Sequence, residues 1–273
     1  MRRFSILAVV YLSLFFPVAA QNGELLWSKA TEWGEVRVRQ QDRTRIMSFY
    51  DADGETEESR MLLDHPEQPQ LEYLRQMRAV AQLPPWSGPQ PRSFLVVGLG
   101  GGSLSKALLH DHPAATVTSI ELEPVVVEAA RKFFLHKDSH RCLTVIDDAR
   151  HFLETTEQKY DLIFLDAFAG VEVPAPLRTV EFARLLDAHL VPGGAVVANV
   201  HFVPVQPSLR YQKSLNEVFP YRSLTQGLAQ GVGLFSHQPL PLPTTSADGS
   251  PSPLAPLQPP SLEGVKPYQD GSH

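Results

Sequence analysis

Three carboxylates, Glu121, Asp148 and Asp166, each follow an apolar run, and a cluster of glycines, Gly98, Gly100, Gly101 and Gly102, ends the run that precedes them. Glycines suit a backbone that must turn sharply and come within contact distance of a ligand, because no Cβ blocks the approach. A carboxylate closing the second strand can accept hydrogen bonds from both hydroxyls of a ribose, the chemistry read for Glu121. Asp148, at the third strand end, is placed to accept from an adenine amino group. Asp166, at the end of the fourth, reaches the strand edge beyond which an open α/β sheet binds its ligands. Together these groups would hold a nucleoside. The plainer alternatives are an ordinary strand-to-helix turn for the glycines, and exposed turn or N-cap acids for Asp147 and Asp148 ahead of a helix over Ala149–Thr155.

The segment Phe94 to Glu123, FLVVGLGGGSLSKALLHDHPAATVTSIELE, reads as strand, loop, helix, strand. Cys142–Ile146 and Tyr160–Leu165 read as the next strands, and Ala195–Val200 follows the turn Pro192-Gly193-Gly194 as another. Strands alternating with helical stretches imply βαβ units and a mainly parallel sheet, whose ligands bind in the crevice beyond the carboxyl ends of the strands. That edge is where Glu121, Asp148 and Asp166 converge. A dinucleotide fingerprint would ask for a glycine where Ser103 stands, and the strand-end acid alone does not separate NAD from an adenosyl ligand.

The order GLGGGSL, SIELEPVVVEAARKFF, VIDDARHFL, YDLIFLDAF and LVPGG resembles the spermidine synthase, or polyamine aminopropyltransferase, family, within the S-adenosylmethionine-dependent methyltransferase fold class. Upstream, Trp33-Gly-Glu-Val-Arg-Val38, Glu58-Ser-Arg-Met61 and Leu71-Glu-Tyr-Leu-Arg-Gln-Met77 extend the resemblance, which covers roughly residues 25–236. It implies an α/β fold: a Rossmann-like, class I methyltransferase-type, mainly parallel sheet with a small N-terminal β-domain. It also implies that Gly98, Gly100, Gly101 and Gly102 line a sulfonium nucleoside, either decarboxylated S-adenosylmethionine or S-adenosylmethionine. Glu121 would then bind its ribose, Asp148 and Ala149 its adenine, and Asp166 would be the catalytic carboxylate, with Glu58, Tyr73 and Phe168 on the substrate side. The resemblance further implies a small-molecule amine acceptor and a homodimer.

Three departures accompany the resemblance. The family's glycine loop usually carries an aspartate where this chain has Gly101; a second acid of the catalytic strand has become Ala169; and a glutamine before serine has become Glu58. Two of the usual amine anchors are therefore neutral. Aminopropyl transfer, methyl transfer and a non-catalytic nucleoside-binding or scaffold role all stay open.

At 273 residues and 43% hydrophobic composition, the chain can bury a sizeable core as one principal unit. The expected organisation is a signal peptide or anchor over 1–20, a small β-domain over 24–65, the Rossmann-like domain over 66–236 and a disordered Pro/Ser-rich tail over 237–273. Arg2 and Arg3, the apolar run Phe4–Phe16 and Pro17-Val18-Ala19-Ala20 form the three parts of a secretory signal, so an exported, periplasmic or secreted protein is expected, with a membrane-anchored or cytoplasmic one as the alternative. Export would separate the protein from sulfonium nucleosides made in the cytosol. The net charge of -6, with no basic aromatic-interleaved run, argues against nucleic acid as partner. Cys142 is the single cysteine, which excludes an intramolecular disulfide and a thiolate zinc site; the pairs His110/His112 and His136/His140 lack a companion acid at recognised spacing, so no metal is expected. Residues Ala167 to Pro176 read as a mobile loop that closes over the site.

Overall fold

The structure is a computed structural model that describes residues 23–271 apart from 53, 169–171, 226, 228–229, 241 and 244–251. The expected signal over 1–20 lies outside the described residues, as do Ala169 and the middle of the loop expected to close over the site. Among the described residues, no helix is long and apolar enough to cross a membrane.

The described residues open with four antiparallel strands in sequential order, β1 (Glu24–Ala30), β2 (Glu35–Gln41), β3 (Thr44–Asp51) and β4 (Gly54–Leu62). On β2 the alternation is plain: Val36 and Val38 are buried while Arg37 and Arg39 turn outward, the period of two expected of a half-buried strand. The buried face packs on Val125, Ala129 and Phe134 of the helix α3 (Pro124–Phe133) and its end. A second tie is the Lys29 ammonium on Glu128 at 2.7 Å.

Among the described residues the larger sheet has eight strands. β5 (Ser93–Val97), β6 (Thr116–Glu121), β7 (Cys142–Ile146), β8 (Tyr160–Leu165) and β9 (Leu190–His201) are mutually parallel; β10 (Tyr221–Thr225), β11 (Gln230–Ser236) and β12 (Pro256–Leu257) pair antiparallel, in the spatial order β12-β10-β11-β9-β8-β5-β6-β7. This is the Rossmann-like methyltransferase fold: a mixed, mostly parallel sheet joined to an N-terminal antiparallel sheet. The chain travels outward from β5 to β7 and returns to β8 on the other side of β5, so the order reverses between β5 and β8. The crevice beyond that switch point is where an open α/β sheet receives its ligand.

Side chains alternate across the central strands. Phe94 and Val96 of β5 pack with Leu74, Met77 and Val80 of α1 (Glu72–Ala81) and with Leu104 and Leu108 of α2 (Ser103–Asp111). Leu95 and Val97 face the opposite layer, α4 (Ala149–Thr155), α5 (Val180–Ala188) and α6 (Val205–Asn216). Both faces are covered, which is why these strands are nearly continuous apolar runs.

The tail expected to be disordered over 237–273 is instead, over its described residues, packed on the domain. β12 extends the β10 edge, Leu242 and Leu254 enter the core layer under α1, and Tyr268 is 4% exposed. The Tyr268 carbonyl accepts from Val180 N–H at 3.0 Å, its N–H donates to Ser214 Oγ at 2.8 Å, and the guanidinium groups of Arg178 and Arg210 lie over its ring. Arg150 closes on Asp270 with two hydrogen bonds of 2.8 and 2.5 Å. Average composition predicts disorder when apolar residues are few, but widely spaced apolar anchors hold a proline-stiffened strap that has little entropy to lose. Tyr268→Ala is accordingly expected to destabilise the protein by about 3 kcal/mol, read by urea unfolding. An unchanged midpoint would mean the strap does not dock.

Candidate functional site

Glu121 ends β6, and its carboxylate accepts from the Leu99 N–H through Oε2 and from the Glu123 N–H through Oε1, both at 3.0 Å. It thereby ties the glycine loop after β5 to the start of α3, where Glu123 caps the helix by accepting from Val125 N–H at 3.0 Å. Burial pushes the Glu121 carboxyl above its usual pKa, against the lowering effect of these backbone amides.

The glycine loop lies tight between neighbours. Gly98 has φ +95°, and a Cβ there would run into the Asp166 carbonyl oxygen, so only glycine lets the end of β5 pass the end of β8. Two further positions are closely packed. A Cβ on Gly101 would lie 2.6 Å from Ser59 Oγ and from Phe134 Cδ1, and one on Gly102 would lie 2.5 Å from His136 Nδ1. Lys106, from the first turn of α2, donates to the carbonyls of Gly101 at 2.7 Å and Phe134 at 2.8 Å, and burial brings its pKa down to about 8.

Asp166 follows β8 directly. Its Oδ2 accepts from the Tyr73 hydroxyl at 3.2 Å and its Oδ1 from Asn199 Nδ2 at 3.0 Å. Burial pushes its pKa up to about 7; the two donors pull it down less strongly. Burial likewise raises Tyr73 well above its ordinary value, with the Asp166 charge adding to it. At about 7 the Asp166 carboxyl is poised to exchange a proton near neutrality.

Glu58 comes from β4, across the boundary between the two sheets. Its surroundings and then the charges of Asp166 and Glu121 push it up to about 7, although its side chain opens to solvent, and water in that opening tempers the rise. Asp148 is the N-cap of α4: Oδ1 accepts from Arg150 N–H at 2.8 Å and His151 N–H at 3.0 Å. Both capping bonds fall on one oxygen, so Oδ2 takes no part in the cap. Ala149, the first residue of α4, is buried beside it. Phe168 stacks on His201 with ring centroids 4.4 Å apart, and both line a cleft with Asn199, Arg178, Glu172 and Tyr211.

The tertiary structure thus gathers Glu58, Tyr73, Gly98, Gly100, Glu121, Asp166 and Phe168 about the ends of β5 and β8, with Asp148 at the end of β7. Asn199 is the residue that sequence reading passed over. A lone amide inside the run Ala195–Val200 was the available signal, because a polar group in a buried strand must find a partner. Its partner proves to be Asp166.

His136, 2% exposed beneath the loop, has Nε2 2.7 Å from Thr144 Oγ1. Burial, and then the Lys106 charge, push its pKa from the usual 6.5 down to about 4. The unfolded chain therefore binds more protons in that window: this stability is complete above 6.5 and is lost as pH falls toward about 4. His136→Gln is expected to flatten the acid limb of Tm against pH, which carries at most about 3 kcal/mol in the wild type. Superimposable curves would refute that origin.

Residues 74–225 match the spermine/spermidine synthase domain family. The chain is 38% identical over 114 residues to a polyamine aminopropyltransferase of Vibrio vulnificus, a stretch that is 41% of this chain and 38% of that protein. It spans less than half the length of this and the next curated relatives it matches. Among solved structures, a probable spermidine synthase from Corynebacterium glutamicum superposes with a TM-score of 0.75 at 20% identity, covering 90% of this chain and 97% of that one. Human methyltransferase-like protein 13 in complex with SAH shares the fold at a TM-score of 0.54 and 23% identity, over 62% of this chain and 83% of that one.

Proposed function

The chain belongs to the spermine/spermidine synthase domain family, and from that premise we propose that it is an aminopropyltransferase using decarboxylated S-adenosylmethionine as donor and a small amine as acceptor. The observation that carries the reading is Asp166, held between Tyr73 and Asn199 at a strand end and brought to a pKa of about 7.

In this mechanism the nucleoside lies across Gly98 and Gly100, with Glu121 on the ribose hydroxyls and the free Oδ2 of Asp148 toward the adenine. The acceptor enters by the cleft of Phe168, His201 and Asn199. Asp166 takes a proton from the acceptor's ammonium, freeing its lone pair. That pair attacks the methylene carbon next to the sulfonium. The carbon–sulfur bond breaks with its electrons going to sulfur, and neutral methylthioadenosine leaves. Holding nucleophile and carbon in line supplies much of the rate, since the sulfonium is already activated.

The test is direct: full-length protein with decarboxylated S-adenosylmethionine and a panel of diamines should release methylthioadenosine. Methyl transfer is the second reading. It is favoured by Gly101, where Ser59 and Phe134 occupy the space that an acidic anchor for an aminopropyl group would need. S-adenosylhomocysteine formed from S-adenosylmethionine would establish that reading, and neither product would leave a binding or scaffold role.

A further inference from the structure

We propose that Glu58 selects the donor: it takes the terminal ammonium of an aminopropyl sulfonium and turns away a sulfonium whose tail carries an α-carboxylate. The inference rests on the nucleoside reading above. With the ribose at Glu121 and the reacting carbon facing Asp166, the substituents on sulfur must emerge between those two acids. The charges of both act on Glu58, whose backbone oxygen lies 3.6 Å from where a Cβ on Gly100 would stand.

No cation among the described residues answers these three carboxylates. The charges that face Glu58 are Asp166 and Glu121, both acids. Neighbouring cations are committed elsewhere: Arg60 to Glu57 at 2.6 Å, Arg178 to Glu172 at 2.8 Å, and Lys106 to two loop carbonyls. Asn199 supplies an independent sign of what is wanted. It is 3% exposed, its Nδ2 is engaged by Asp166, and its Oδ1, in the wall of the cleft lined by Phe168 and His201, has no hydrogen-bond partner among the described residues. A buried acceptor left unmet beside a carboxylate asks for an N–H donor from a ligand. The space beside Asp166 therefore offers an unmet acceptor and negative charge, the complement of an amine or ammonium, and a carboxylate-bearing tail would meet the like charges of Glu58, Asp166 and Glu121. Gly101 has no room for an acidic side chain, whereas the residue before Ser59 brings one to the same end of the loop.

Titration calorimetry on the full chain with methylthioadenosine, decarboxylated S-adenosylmethionine and S-adenosylmethionine separates the possibilities. The wild type should prefer the decarboxylated ligand by at least about tenfold. Glu58→Gln should bind methylthioadenosine, which lacks the charged tail, as before, yet hold the other two within about threefold of each other; Glu58→Asp should keep part of the preference. Equal affinities in the wild type, or a preference that survives Glu58→Gln, would overturn the role of Glu58 while leaving the nucleoside site standing. Failure of methylthioadenosine to bind the wild type would overturn the nucleoside reading, and this inference with it.

Discussion

Asp166→Asn is expected to lower kcat by about a hundred- to ten-thousandfold while leaving the Kd for methylthioadenosine within about twofold. The substitution keeps the shape and can still hydrogen-bond to Tyr73 and Asn199, but an amide takes no proton. The pH profile adds a readout that a structural role would not move. A base with a pKa of about 7 is competent only when ionised, so wild-type kcat/KM should rise as pH passes through about 7 and level off above it. Because the Asp166 charge acts on Glu58, which is also raised to about 7, the inflection belongs to the pair. Stability should move the other way. The Asp166 pKa is raised on folding, so its contribution is fully present below the ordinary 3.8 and is lost as pH rises through about 7. At pH 8 the variant should therefore melt no lower than the wild type. A joint loss of nucleoside affinity and Tm would make Asp166 a structural residue.

Glu121→Ala should weaken methylthioadenosine binding by on the order of a hundredfold or more. Two losses combine. The ribose hydroxyls lose their acceptor, and the N–H groups of Leu99 and Glu123, which this carboxylate holds at 3.0 Å, lose the partner that shapes the loop. Glu121→Gln distinguishes the two, because its single carbonyl oxygen accepts for only one side of the arrangement. Calorimetric Kd values for both variants provide the check, and wild-type affinity in Glu121→Ala would remove this residue from the site. Opposite outcomes for Asp166→Asn and Glu121→Ala, one sparing affinity and the other destroying it, would assign chemistry and binding to different carboxylates.

The fold class was legible in the sequence because its signals are local. Apolar runs at Cys142–Ile146 and Tyr160–Leu165 coincide with β7 and β8, the helix read over Ala149–Thr155 is α4, and glycine marks the turn after β5. Such patterns are set by backbone geometry and by burial within a few residues, and they need no knowledge of distant partners. The family, too, lay in the order of short motifs along the chain.

What surrounds the carboxylates was decided by the tertiary structure. Tyr73 meets Asp166 across 93 positions of sequence, Asn199 reaches it across 33, and Glu58 arrives from a different sheet. No local rule specifies those distances, yet they determine which proton is held and at what pH. The C-terminal strap shows the same limit from the other side. Its composition predicts disorder, but Leu242, Leu254 and Tyr268 find buried places prepared by elements far upstream. Periodicity and glycine spacing record how each segment meets its own neighbours in the chain. A carboxyl's pKa and a strap's docking depend on burial and charge summed over the whole packed molecule, which exist only once the chain has folded.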